Sequence, residues 1–213
     1  MRFLTLLFSA AGVTTPRKYI VLVGGGHAHL QVIKALTKAA VPDIDVTLID
    51  PNPLPSYSGM VPGCVSDLYS PRDAQIDLEP LTAWAGIRYV KARVLDLVDD
   101  NTFALSNNET VRFDIASLDV GSGSRDADKK GVREHSIPTR PIHELISKIE
   151  SSELSMKEAD TPPSSVVVCG AGPAGIELAL AMRARWSKAF PTSRFNVTLL
   201  ESGSSLLPNE SDR

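Results

Sequence analysis

Val166-Val167-Val168-Cys169-Gly170-Ala171-Gly172-Pro173-Ala174-Gly175 is the stretch that decides the fold. A β-branched run of this kind suits a buried parallel strand, and it stops abruptly at glycines spaced one, three and six. Ile176 to about Lys188 follows as a helix, and Val197-Thr198-Leu199-Leu200 as a second strand ending on Glu201. The order is strand, glycine turn, helix, strand, acid.

The same order occurs earlier in the chain. Tyr19-Ile20-Val21-Leu22-Val23 runs into Gly24-Gly25-Gly26, and His29–Ala40 carries Leu30, Ile33, Ala35 and Leu36 at helical spacing. Val41-Pro42-Asp43 breaks the helix, and Val46-Thr47-Leu48-Ile49 ends on Asp50. One position departs from the pattern: His29 stands where the third glycine belongs, and a side chain there is expected to crowd a tight helix–strand contact. Two copies at this distance indicate two separate units and not a short-period solenoid.

Such a unit has a chemical use. The start of a helix offers unpaired N–H groups and a positive dipole end, and glycines let the backbone approach an anion closely. An acid ending the second strand can accept both hydroxyls of a ribose. Gly170, Gly172, Gly175 and Glu201 supply every part of a dinucleotide site, and Gly24, Gly26 and Asp50 supply most of one. The opposing reading is an α/β protein with glycine-rich turns and no nucleotide. A carboxylate at Glu201 repels a 2′-phosphate and so favours NADH over NADPH, unless it faces solvent and neighbours set the preference. His27 and His29 alternate at a helix start with no further Cys or carboxylate ligand, so no metal is assigned.

The rest of the chain fits around these units. Pro51–Pro71 is rich in proline, glycine and serine and is too long for an ordinary connection, which suggests a functional loop. Ile87–Leu97 and Thr102–Phe113 read as strands, and Ile115–Val120 is an apolar run ending at Gly121-Ser122-Gly123. A helix is expected over Ile142–Ile149, followed by a polar linker, Glu150–Ser165. The expected division is an extension at 1–16, a first nucleotide-binding domain at 17–125, a linker and connecting helix at 126–165, and a second domain at 166–213. The fold class is α/β: two Rossmann-like three-layer units, the second incomplete.

Composition narrows the function classes. The net charge of −3 comes without any Lys/Arg cluster, which argues against nucleic acid as a partner. Cys64 and Cys169 lie far apart, outside any CxxC spacing, which argues against a disulfide scaffold or zinc site and for a reducing compartment. No apolar run reaches the roughly twenty residues of a transmembrane helix. Met1–Thr15 joins Arg2 to an apolar stretch with no acid before Asp43, which reads either as a targeting segment, directing the chain to mitochondrion or plastid, or as a loose extension on a cytoplasmic protein.

GGGHAHLQV (Gly24–Val32), YSGMVPG (Tyr57–Gly63), AQIDL (Ala74–Leu78), LDVGS (Leu118–Ser122) and GAGPAGIELA (Gly170–Ala179), in this order, resemble the FAD-dependent pyridine nucleotide-disulfide oxidoreductase superfamily. The resemblance points to the branch with type II NADH dehydrogenases and the flavoprotein modules associated with selenide, water dikinase. It implies FAD and NAD(P)H as cofactors. Gly24, Gly25, Gly26, His27, Ala28 and His29 would hold the FAD pyrophosphate, and Asp50 the adenosine ribose. Ser58, Gly59 and Gly63 would lie near the flavin, and Gly121 and Ser122 would close over the cofactor. In the second unit Gly170, Gly172, Pro173, Ala174, Gly175 and Glu201 would hold NAD(P)H, with Glu177 on the nicotinamide side.

The implied activity is hydride transfer from NAD(P)H to flavin, then electron transfer to a quinone or another small acceptor; no catalytic side chain is singled out. Thiol chemistry is not expected, because the disulfide reductases need two closely spaced cysteines and only Cys64 lies in the flavin loop. The chain stops at Arg213, soon after the second acid, where the family's NAD(P) domain continues and the chain then returns to complete the FAD domain and acceptor site. A fragment is therefore expected, with any peripheral membrane association residing in the missing part. The alternative is a nucleotide-binding regulatory or interaction protein without turnover.

Overall fold

The computed structural model describes residues 16–38, 41–124, 128–204 and 206–207. The targeting reading of Met1–Thr15 lies outside them. The chain forms two compact units: Met1–Asn52 with Glu79–Val120, and Pro53–Leu78 with Gly121–Arg213. The sequence divides into contiguous blocks, but the compact units do not, because the proline-rich segment after Asn52 groups with the later half of the chain.

In the first unit, strands β1 (Lys18–Val23), β2 (Ile44–Ile49), β3 (Arg88–Val90) and β7 (Ile115–Leu118) form a parallel sheet in the order β3-β2-β1-β7. The run of apolar residues at Tyr19–Val23 thus belongs to an inner strand, flanked on both sides. Helix α1 (His27–Leu36) links β1 to β2, and α3 (Leu78–Ala85) leads into β3. Between β3 and β7 the chain makes an antiparallel meander of β4 (Val94–Asp99), β5 (Thr102–Leu105) and β6 (Thr110–Arg112). The expected strands over Ile87–Leu97 and Thr102–Phe113 are each interrupted.

The two faces of the sheet separate by alternation along each strand. Val21, Val23 and Ile49 pack with Val90, Ala92, Phe103, Leu105 and Val111 into one core, where Phe103 and Phe113 stack at 4.5 Å. Leu22 and Leu48 face the opposite way and are buried as well. Ser117 is the register partner of Leu22 and shares that face. Each fully buried aliphatic side chain contributes about 1.5–3 kcal/mol of transfer free energy.

The second unit contains α2 (Val61–Val65), α4 (Val132–His135), α5 (Ile142–Glu158), α6 (Pro173–Ala189) and a parallel pair, β8 (Ser165–Cys169) and β9 (Asn196–Leu200). Its core joins Val61, Cys64 and Val65 of α2 to Leu145, Ile146 and Ile149 of α5 and to Ala181, Met182 and Trp186 of α6. The proline-rich segment therefore serves packing in this unit. Helix α5 corrects the linker expected at Glu150–Ser165, since helix runs on to Glu158. Leu145, Ile146, Ile149 and Glu153 keep a buried stripe going past Ile149. Ser147, Ser151, Ser152 and Ser155 donate their hydroxyls to carbonyls three or four residues back, so the serines that read as linker are absorbed by the helix.

Glu153 of α5 accepts from Arg185 of α6, and Arg185 also reaches the Val65 carbonyl of α2 at 3.5 Å. Burial pushes the Glu153 carboxyl up, but hydrogen bonds from Lys157 and Arg185 outweigh this and hold it below its ordinary value. The ion pair's contribution is accordingly present above the usual glutamate range and fades as pH falls through the lowered value. The two side chains are only 10% and 11% exposed, so removing one partner strands a buried charge. Glu153→Ala is expected to destabilise the chain by about 3 kcal/mol in urea unfolding, whereas Glu153→Leu combined with Arg185→Met should recover most of that loss.

Candidate nucleotide-binding sites

The two glycine turns have nearly the same internal geometry. Gly24 and Gly170 both adopt positive φ, 95° and 101°, a conformation that disfavours any side chain. Gly24 N–H donates to the Ile49 carbonyl and Gly170 N–H to the Leu200 carbonyl, each at 2.8 Å. Gly26 and Gly172 precede α1 and α6 in matching extended conformations, φ −69° with ψ 170° and φ −70° with ψ 174°. Leu30 N–H and Ile176 N–H then close the first helical turns on the carbonyls of Gly26 and Gly172, at 3.1 Å in both cases. Both turns thus sit between a strand and its following helix.

The acids ending the second strands are engaged in the same way. Asp50 Oδ2 accepts from Gly25 N–H at 2.5 Å, and Glu201 Oε2 accepts from Ala171 N–H at 2.7 Å. Asp50 Oδ1 takes a second bond, from Asn52 N–H at 2.7 Å, so each of its oxygens keeps a lone pair for another donor. Glu201 Oε1 accepts from the Ser202 N–H and hydroxyl and from Gly203 N–H. These bonds, that from Ala171 first, hold the Glu201 carboxyl down at about 2. Its Oε2 keeps the lone pair that a ribose hydroxyl would use.

At the third glycine position the units part. A Cβ on Gly175 would lie 1.8 Å from the Gly170 carbonyl oxygen, so the second helix packs directly on its turn and only glycine fits. In the first unit His29 takes that position, and the expected crowding does not occur. The imidazole is 2% exposed, with Nδ1 2.7 Å from the Gly24 carbonyl oxygen and Nε2 2.9 Å from Ser117 Oγ. A carbonyl can only accept, so Nδ1 carries a proton, and in the neutral ring Nε2 accepts from the serine. A side-chain hydrogen bond to the loop carbonyl replaces backbone contact with it.

The second difference is Asp119, which the sequence reading did not single out. Its N–H donates to the Val23 carbonyl, extending the pairing of β7 with β1. Its Oδ2 accepts from Ala28 N–H at 3.0 Å and His29 N–H at 3.4 Å. A Cβ added to Gly26 would come within 2.2 Å of this carboxylate, whereas one added to Gly172 would meet no atom within 4 Å. The start of α1 therefore carries a carboxylate of its own chain, and the equivalent space at the start of α6 is open.

The remaining candidate residues belong to the second unit by chain position. Ser58 and Gly59 lie in a single 3-10 turn, Ser58–Met60, and Gly63 in α2. A Cβ on Gly63 would approach the Tyr69 ring to 2.4 Å, so local packing already requires a small residue there. Gly121 has φ 72°, Ser122 is exposed, and Glu177 is exposed on α6. Cys64 is buried, its thiol bonded to the Ser70 carbonyl and pushed up chiefly by burial, which suits a packing residue. Cys64 and Cys169 are not joined to one another.

Judged by shape and donors, the second turn fits a pyrophosphate as it stands: an open cradle at Gly172, a helix start and an acid with a spare lone pair. The first turn fits in its backbone and in Asp50, while the Asp119 carboxylate occupies its helix start.

Comparison with known structures places the fold. NDH2 from Plasmodium falciparum in complex with NADH aligns with a TM-score of 0.72 at 18% identity, over 92% of this chain and 44% of that one. A ferredoxin reductase from Rhodopseudomonas palustris aligns at 0.66 and 19% identity, over 91% and 45%. The water-forming NADH oxidase of Lactobacillus brevis, bound to NADH, aligns at 0.66 and 20%, over 90% and 41%. At these identities the likeness is one of fold, and this chain spans less than half of each. No curated protein sequence matches. The family model for pyridine nucleotide-disulphide oxidoreductases matches residues 18–213, nearly the whole chain, and with both glycine turns in place the protein belongs to that family.

Proposed function

We propose that this chain provides the two nucleotide sites of a flavin-dependent NAD(P)H oxidoreductase, with FAD at the first glycine turn and NADH at the second. The observation that carries the reading is the repeated geometry: Gly24–Gly26 with Asp50, and Gly170–Gly172 with Glu201, share their dihedral angles and their main-chain hydrogen bonds. When bound, the flavin supplies the redox chemistry, accepting hydride from nicotinamide and passing electrons to a small acceptor such as a quinone. The chain's own residues bind and orient. Gly24, Gly25, Gly26, His27 and Ala28 would carry the FAD diphosphate and Asp50 its adenosine ribose. Gly170, Gly172, Pro173, Ala174 and Gly175 would carry the NADH diphosphate and Glu201 its ribose.

One observation favours a second reading, a nucleotide-binding protein without turnover: the first site holds the Asp119 carboxylate against its helix N–H groups. The two readings separate on purified protein. A bound-flavin absorption spectrum with NADH oxidation against a soluble quinone supports the oxidoreductase; NADH binding without flavin or turnover supports the alternative.

Two further outcomes test the second site. Gly172→Ala meets no neighbour and has an ordinary φ, so melting should be unchanged, while the added methyl intrudes on the diphosphate and raises the NADH dissociation constant by about tenfold or more. Titration calorimetry alongside a thermal melt reads both. Glu201 remains ionised at every pH well above about 2, so over the neutral range only the 2′-phosphate changes charge, through its second ionisation at pH ~6. The ratio of NADPH to NADH dissociation constants is expected to rise from pH 5 to pH 8, and both the ratio and its rise to shrink in Glu201→Ser.

A further inference from the structure

We propose that Asp119 is an internal anion of the first nucleotide site, one that competes with the FAD diphosphate for the start of α1 and must rotate away before the diphosphate can enter. The inference rests on the assignment of FAD to that site. Asp119 Oδ2 is held by Ala28 N–H at 3.0 Å and His29 N–H at 3.4 Å, donors that an incoming phosphate oxygen would use. The carboxylate also fills the space directly against Gly26, where an added Cβ would stand 2.2 Å from it.

Shared occupancy is excluded by charge as well as by volume. A helix N-terminus presents roughly half a positive charge, enough to favour one anion and far too little to neutralise a carboxylate and a diphosphate together. Asp50 already places a second carboxylate on the same turn, 2.5 Å from Gly25 N. A diphosphate entering with Asp119 in place would meet negative charge on two sides.

The movement required is a side-chain torsion and not a loop swing. Asp119 N–H is bonded to the Val23 carbonyl at 2.8 Å, and its carbonyl carbon and oxygen lie so close to Gly24 that a Cβ there would be 2.2 Å from that oxygen. The backbone at the end of β7 is thus pinned to the turn, leaving χ1 as the free coordinate. Flavin held in this way is exchangeable, and the turn stays hydrogen-bonded while flavin leaves.

The test uses the full chain with Asp119→Ala and Asp119→Asn. Flavin fluorescence titration should show FAD bound about tenfold more tightly by Asp119→Ala than by the wild type, the factor expected when one helix-end anion no longer has to be displaced. Asp119→Asn keeps the shape and one acceptor but loses the charge, and should fall between them; it also serves if the alanine variant does not fold. Without nucleotide, Asp119→Ala should melt below the wild type, and saturating FAD should close that gap. FAD binding that is unchanged or weaker in both variants overturns the proposal, because Asp119 would then be a bystander or a flavin contact.

If neither wild type nor variant takes up FAD, the cofactor assignment fails and inorganic pyrophosphate decides the role of Asp119. A pyrophosphate-dependent rise in melting temperature that is larger in Asp119→Ala than in wild type upholds competition at this helix start. Equal rises overturn it, since the contribution of the second site is common to both proteins.

Discussion

The bond from the second residue of each glycine turn to the acid ending the neighbouring strand is the constraint on which both sites depend. Gly25 and Ala171 are buried, and a buried N–H with no partner costs about 1–3 kcal/mol. Asp50 and Glu201 remove that cost, and in doing so fix the turn against the tip of the second strand. The same bond leaves the carboxylate facing outward with a lone pair to spare. One interaction therefore sets the start of the helix, shapes the turn and positions the group that would recognise a ribose.

Given so similar a backbone, the differences between the units fall on side chains that arrive from β7 or point toward it. Helix α6 lies against its turn through Gly175, with no room for a Cβ. Helix α1 meets its turn through His29, whose ring spans from the Gly24 carbonyl to the Ser117 hydroxyl and so ties the turn to β7. The residue two places beyond Ser117 is Asp119, which reaches back to the same helix start. In the first unit the edge strand β7 thus takes part in the turn, through the His29–Ser117 bond and the Asp119 carboxylate. In the second unit the turn is held by Gly170 N–H on the Leu200 carbonyl and by Ala171 N–H on Glu201.

What the sequence disclosed divides along the same line. Strand, turn, helix and acid are local: hydrophobic runs of the right length, glycines at fixed offsets and a carboxylate about thirty residues on are enough to place Gly24–Gly26, Asp50, Gly170–Gly175 and Glu201. His29 and Asp119 depend on partners about ninety residues away, and no spacing rule encodes such a contact. His29 was therefore expected to crowd a junction that it instead bridges. A signal for Asp119 did exist, since it is a third acid at the end of an apolar strand, as Asp50 and Glu201 are. The length of α5 was hidden for a different reason: serine reads as linker by propensity, and its helical hydroxyl bonds become visible only once the buried stripe beneath it is known.

The fold likeness persists at 18–20% identity. The donors are main-chain N–H groups at a helix start, and their placement needs a positive-φ glycine, an extended N-cap residue and one acid, all of which this chain has twice. The flanking side chains are then free to differ, because they tune a seat that they do not build. No cluster of lysines or arginines is needed to attract a diphosphate, and the net charge of −3 poses no objection. At α1 the Asp119 carboxylate already occupies the helix start, and under the proposed assignment a diphosphate would have to displace it.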